Sequence, residues 1–140
     1  MLFKAPHPYL VTRCNPVTDI SDVLPCLPEM PRVLAAHEGV GLAAPQVGVL
    51  KRLFMVKTPL GIPWVFVNPE ITVTDPTEEP SLEGCLSIPD RRFFVSRPRG
   101  IHIKAFNLEG EPFELNLKGW YARVCQHEND HLNGILISSK

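Results

Sequence analysis

Alternation is clearest in Ile101-His102-Ile103-Lys104-Ala105 and Phe113-Glu114-Leu115-Asn116-Leu117, where every second residue is apolar. That period predicts two strands with one dry face, and Asn107-Leu108-Glu109-Gly110 between them reads as a hairpin turn. Shorter β-rich runs, Arg52 to Lys57, Trp64 to Asn68 and Ile71 to Thr74, are set apart by Gly and Pro and predict further strands. Asp19 and Ser21 can start a helix, yet Pro25, Pro28 and Pro31 interrupt its continuation. An interior proline costs a helix about 3 kcal/mol, so a broken helix is expected, surest from Pro31 to His37. Pro6 to Pro16 reads as an extended arm. Near the other end, Trp120, Val124, His127 and His131 share one face of a second helix, which Gly134 stops.

Helix, antiparallel strands, then a terminal helix make an α+β layout in which antiparallel β-sheets pack around the C-terminal helix. At 140 residues, the length predicts a single domain over 1–140 with a real core. Composition mainly excludes. Fourteen basic and fifteen acidic side chains are mixed along the chain, and no basic run points to nucleic acid or a membrane surface. No apolar run approaches a bilayer span, and the first residues lack the apolar stretch of a signal peptide. Four cysteines without Cys-x-x-Cys pairing, in a chain with no export signal, read as reduced thiols in a cytoplasmic protein.

The second helix brings the chemistry. It carries His127-Glu128-Asn129-Asp130-His131, a His-Glu-x-x-His motif. At about 100° per residue, the two imidazoles lie one turn apart and can reach one metal ion, while Glu128 can take a proton from water. Two satisfied core histidines would be the plainer explanation. No His, Cys, Asp or Glu comes after His131, so any third ligand lies upstream. Candidates are Cys14, Cys26, Cys85, His7, His37, His102 and the carboxylates. His37 reads as a helix-end cap and His102 as a solvent-facing residue beside Lys104. Cys125 points roughly 200° away from His127 around the helix. Cys85, in Leu82-Glu83-Gly84-Cys85-Leu86-Ser87-Ile88-Pro89, stands out by context, but a buried free thiol is equally compatible with its spacing.

Gly39-Val40-Gly41-Leu42-Ala43-Ala44-Pro45-Gln46 superficially copies a dinucleotide fingerprint. A helix precedes it instead of a strand, and Pro45 blocks a helix after it. Two readings remain of equal weight. Either the glycines allow close backbone packing, or Gly41 lets a substrate backbone approach while Gln46 offers an amide donor to a cleft.

Taken together, Gly39 to Gln46, Glu83 to Ser87 and Gln126 to His131 resemble, in order, the three signature motifs of peptide deformylases. Pro6 to Leu10 and Pro16-Val17 are similar to that family's opening, so the likeness covers nearly the whole chain. It implies a peptide-deformylase-like fold and removal of the formyl group from N-formylmethionyl nascent chains, releasing formate. It implies Cys85, His127 and His131 as metal ligands with water in the fourth position, and Fe²⁺ as the metal, replaceable by Zn²⁺ or Ni²⁺. Glu128 would be the general base, Gln46 and the Leu86 N–H the oxyanion donors, and Val40, Gly41 and Arg92 the substrate contacts. The expected partners are formylated nascent chains, with no nucleic acid, no membrane, and a monomeric state. The chain ends nine residues after His131, as in compact, virus-encoded members that would work in a host cytoplasm. That shortening bears on ribosome association, which a C-terminal helix would mediate. Rival readings are a peptidase, disfavoured by the missing downstream ligand, and a closed metal-binding module, for which no fourth protein ligand offers itself.

Overall fold

The computed structural model describes all 140 residues, Met1–Lys140. The chain builds helix α1 (Glu29–Ala36), then strands β1 (Gly41–Ala43), β2 (Leu53–Val56), β3 (Trp64–Cys85), β4 (Ile88–Phe106) and β5 (Pro112–Lys118), and finally helix α2 (Trp120–Leu132). The strands form one five-stranded sheet in sequence order, every neighbouring pair antiparallel. The expected α+β layout of antiparallel strands and a C-terminal helix is present, with all the strands in a single meander.

The proline-rich segment breaks as expected. Pro25 and Pro28 supply no N–H, and two single 3₁₀ turns, Ile20–Asp22 and Leu24–Cys26, precede α1. Asp19 accepts from the Ser21 N–H at 2.9 Å and starts the first turn. In α1, Met30, Val33 and Leu34 are buried at i, i+3 and i+4, the apolar stripe of a helix lying on a core. The N-terminal arm is less extended than expected: Pro8–Val11 forms a 3₁₀ turn, with His7 Nδ1 accepting from the Tyr9 N–H.

β2 reads Leu53-Phe54-Met55-Val56 without alternation because both of its faces are covered. Leu53 and Met55 join α1, Val23 and Leu42 in one apolar cluster. Phe54 and Val56 join Phe66, Ile101, Ile103, Cys125 and Leu132 in the other, under α2. α2 is thus held against the middle of the sheet.

The chief departure from expectation is the length of β3 and β4. Asp75-Pro76-Thr77-Glu78-Glu79-Pro80 has the composition of a loop, yet β3 runs through it to Cys85. Register shifts between Val67 and Glu70, Val73 and Asp75, and Asp75 and Glu78 let the long ribbon bend. The bend carries its tip, Cys85-Leu86-Ser87-Ile88, back against α2.

Candidate metal centre

Two elements supply the three expected ligands. Cys85 ends β3, and His127 and His131 project from one face of α2; their ligand atoms all lie within 4.8 Å of one another. Cys85 Sγ and His131 Nε2 are 3.5 Å apart. Both imidazoles are buried and the thiol is half-buried. The other candidates lie elsewhere. Cys14, Cys26 and Cys125 are buried in the apolar clusters, and all four cysteines are free. His37 caps the C-terminus of α1. His102 stands on the polar face of β4, half-buried between Asn116 and Glu114.

A ring of charge fixes the first histidine; Glu83 and Asp130 lie within two of the motif stretches, while Arg97 and Arg123 lie outside all three. His127 Nδ1 lies 2.9 Å from Glu83 Oε1. Glu83 also accepts from Arg97, Nε to Oε2 at 2.6 Å and Nη2 to Oε1 at 2.9 Å, and from Arg123 Nη1 at 2.5 Å. Arg97 reaches on to Asp130 Oδ2 at 2.8 Å, so it bridges β3 to the residue beside His131. Burial raises the Glu83 pKa, but hydrogen bonds from His127 and Arg97 outweigh it and bring it down to about 2. An ionised carboxylate only accepts, so Nδ1 of His127 must be the donor, and in the neutral ring, the form that ligates, Nε2 carries the lone pair toward Cys85. The signal lay in strand parity: Val95 and Arg97 point the same way on β4, and both are buried.

The remaining groups fit a cation. Burial lowers the pKa of His127, but acceptors at Cys85 and Glu83 and the charge of Glu128 outweigh it and lift it to about 10; these groups draw a cation to Nε2, which a metal ion satisfies by displacing the proton. Burial, with the charges of His127 and Arg97, holds His131 well below its ordinary value and keeps it neutral, the form that ligates. Burial pushes the Glu128 carboxyl up to about 7 against the pull of His127 and Arg97. Oε1 of Glu128 and Nδ1 of His131 are buried without partners. One thiol and two imidazoles form a three-donor set for one divalent ion with an open position, and the Glu128 carboxylate stands beside it with Oε1 unpaired.

These groups open onto a cleft of about 890 Å³, lined also by Val40, Gly41, Gln46, Leu86, Arg92 and Trp120. Every expected site residue except His131 therefore lines one cleft, and His131 stands behind it. Gly41 sits on edge strand β1, where a Cβ would fall 2.6 Å from Glu128 Oε2. The close-packing reading of that glycine segment is met, and Gly41 and Gln46 both line the cleft. Gln46 and Leu86 flank Cys85, from the turn after β1 and the β3–β4 turn. Val124 is buried in the helix face below, while Trp120 is 57% exposed and forms the cleft mouth. A smaller hollow of about 410 Å³ beside α1, lined by Pro25, Pro28 and Arg32, gathers no comparable set of groups. No helix is long and apolar enough to cross a membrane.

Comparison with known proteins agrees with this geometry. The family model described as polypeptide deformylase matches residues 1–140. A peptide deformylase from Thermotoga sp. is 44% identical over 131 residues, 93% of this chain and 79% of the relative. The crystal structure of peptide deformylase from Thermotoga maritima superposes with a TM-score of 0.93 at 39% identity, covering 100% of this chain and 95% of that one. A probable peptide deformylase from Synechococcus phage S-SSM7 gives 0.89 at 35% identity, covering 99% and 97%.

Proposed function

The chain belongs to the peptide deformylase family, and from that premise we propose how its residues divide the work of removing a formyl group from N-formylmethionyl peptides. Cys85, His127 and His131 hold the metal, which we take to be Fe²⁺, with Zn²⁺ or Ni²⁺ able to replace it. The observation that carries this reading is the convergence of a mid-chain sulfur and two α2 imidazoles within 4.8 Å, beside a buried carboxylate. When bound, the divalent ion supplies polarisation of the formyl carbonyl and a lowered water pKa.

The rest is done by side chains and backbone. Glu128 takes the proton of the attacking water on Oε1, which has no other partner, and later gives it to the leaving amine. Burial, which lifts its carboxyl to about 7, matches it to a proton transfer in both directions near neutral pH. Gln46 Nε2 and the Leu86 N–H receive the charge that develops on the formyl oxygen. Val40 and Gly41 line the side of the cleft that takes methionine, and β1 offers the substrate backbone an unpaired strand edge. Arg92, exposed on the cleft wall, steadies the peptide beyond it.

We read residues 1–140 as one catalytic domain, acting as a cytoplasmic monomer on nascent chains. The test is formate release from a formyl-Met tripeptide, run anaerobically with metal analysis of the same sample. Formate in step with free amino termini is expected. Release of residues from an unformylated peptide, or no formate from metal-replete protein, would overturn the assignment.

A further inference from the structure

We propose that Ser87 is a positioning residue for catalysis, locking the amide of Gln46 so that one N–H faces the reacting carbonyl. This rests on the reading of Gln46 as an oxyanion donor and adds a residue to it. Both side chains are buried, Gln46 at 1% exposure and Ser87 at 0%. Gln46 Oε1 accepts from the Ala43 N–H at 2.9 Å, and Nε2 donates to Ser87 Oγ at 3.0 Å. Ser87 in turn donates its hydroxyl proton to the Phe3 carbonyl at 2.7 Å.

The direction of these bonds matters more than their number. A hydroxyl has one proton, and Phe3 takes it, so Ser87 presents only lone pairs to Gln46. Turning the amide over would set its NH₂ against the Ala43 N–H, and would force Ser87 to abandon Phe3 or face oxygen with oxygen. The amide therefore has one orientation. Of its two N–H groups one is spent on Ser87, and the other donates weakly to Cys85 Sγ at 3.8 Å, a long contact that it can exchange for the reacting carbonyl. Preorganised donors stabilise charge because they need no reorientation when it develops.

The N-terminal arm completes the lock. The Phe3 N–H donates to the Gln46 carbonyl at 2.7 Å, and the Ala5 N–H donates to the Ser87 carbonyl at 2.8 Å. The arm thus clips the Gln46 turn to the β3–β4 turn and fixes the carbonyl that orients the serine. Two turns distant in sequence are tied to one another by the start of the chain.

A double-mutant cycle on the metal-loaded enzyme tests this, with Ser87→Ala, Gln46→Leu and both together, each checked for metal content and thermal midpoint. Gln46→Leu is expected to lower kcat about a hundredfold, the scale of one lost oxyanion donor. Ser87→Ala is expected to lower kcat about five- to tenfold with KM within about twofold, and to cost nothing further in the Gln46→Leu background. If Ser87→Ala does not fold, Ser87→Cys, which keeps the volume with a poor acceptor, takes its place. An undiminished kcat in the serine variant, or the same fold loss in both backgrounds, would overturn the positioning role. Full activity in Gln46→Leu would instead overturn the donor reading beneath it.

Discussion

Glu83 on β3 and His127 on α2, remote from each other in sequence, share a hydrogen bond of 2.9 Å that decides which imidazole nitrogen is free to bind a metal. Because the carboxylate accepts at Nδ1, the lone pair of the neutral ring is on Nε2, toward Cys85. Two arginines secure the carboxylate in turn, one from β4 and one from α2 a turn before His127. The metal site is therefore as much a product of the β3–β4 ribbon as of the helix motif.

Glu83→Gln should weaken metal retention about 10- to 100-fold, as loss of a partner that orients a ligating histidine does elsewhere. Competition with a chelator measures it. Stability should fall too, by about 3–5 kcal/mol, because Arg97 at 3% exposure keeps a charge with its main partner gone. The sign with pH is set by the lowered carboxyl. The stabilisation from Glu83 is present above the ordinary value of 4.5 and is lost as pH falls through about 2. Urea midpoints from about pH 5 down to about 2 should drop more steeply for the parent than for the variant. Parallel curves would mean that Glu83 is not the group responsible.

Glu128→Gln separates proton transfer from metal binding. The variant keeps the size of the side chain and removes none of the three ligands, so metal content should match the parent. Turnover should fall by about 10²- to 10⁴-fold, the usual contribution of a positioned base. Metal analysis and formate release on one sample read both quantities. Equal turnover in the two proteins would remove Glu128 from the role of base.

Gly41→Ala tests a contact that the sequence motif concealed. The added Cβ would sit 2.6 Å from Glu128 Oε2 and 3.0 Å from its Cγ and Cδ, and Glu128 is buried with nowhere convenient to turn. The Glu128 carboxylate would be displaced while the edge strand, which pairs with β2 through its backbone, stays in register. A displacement of this order is expected to lower kcat about a hundredfold with only a small change in thermal midpoint. An alanine variant as active as the parent would show that the carboxylate need not stand where the structure has it.

How far the sequence discloses each feature depends on the range of the interactions involved. The spacing of His127 and His131 is a property of one helix, so α2 and its face were legible, as was the alternation of Ile101 to Ala105 and Phe113 to Leu117. Cys85 was not resolved by spacing, because its approach depends on bends in a ribbon 22 residues long on one side and 19 on the other. Pro76, Pro80 and the acids between Asp75 and Glu79 mask that ribbon as a loop, since pairing across the strands overrides local preference. The salt-bridged shell of Glu83, Arg97, Arg123 and Asp130 joins three elements; Glu83 and Asp130 stand in motif stretches, but no local pattern pairs them with the two arginines. Resemblance to a family singled out Cys85 as the third candidate ligand; the pairing of charges behind it came only from the fold.

The end of α2 gives the last prediction, one about stability instead of chemistry. Gly134 has φ +74°, and a Cβ there would lie 2.8 Å from the carbonyl carbon and oxygen of Val11 and 3.0 Å from the carbonyl carbon of Thr12. Those are backbone atoms and cannot swing aside as a side chain would. The segment they belong to is anchored, since the Cys14 N–H donates to the Leu132 carbonyl at 2.8 Å. Arg52 donates to the same carbonyl and, with Arg13, to Asn133 Oδ1. Gly134→Ala therefore combines a left-handed backbone that alanine adopts with strain and a clash that only movement of the N-terminal arm relieves. A loss of about 2 kcal/mol or more is expected in chemical denaturation. Gly134 is not among the residues lining the cleft, so kcat of the folded, metal-loaded variant should stay within about twofold of the parent. An unaltered denaturation midpoint would show that the helix end and the N-terminal segment are not packed as tightly as these distances require.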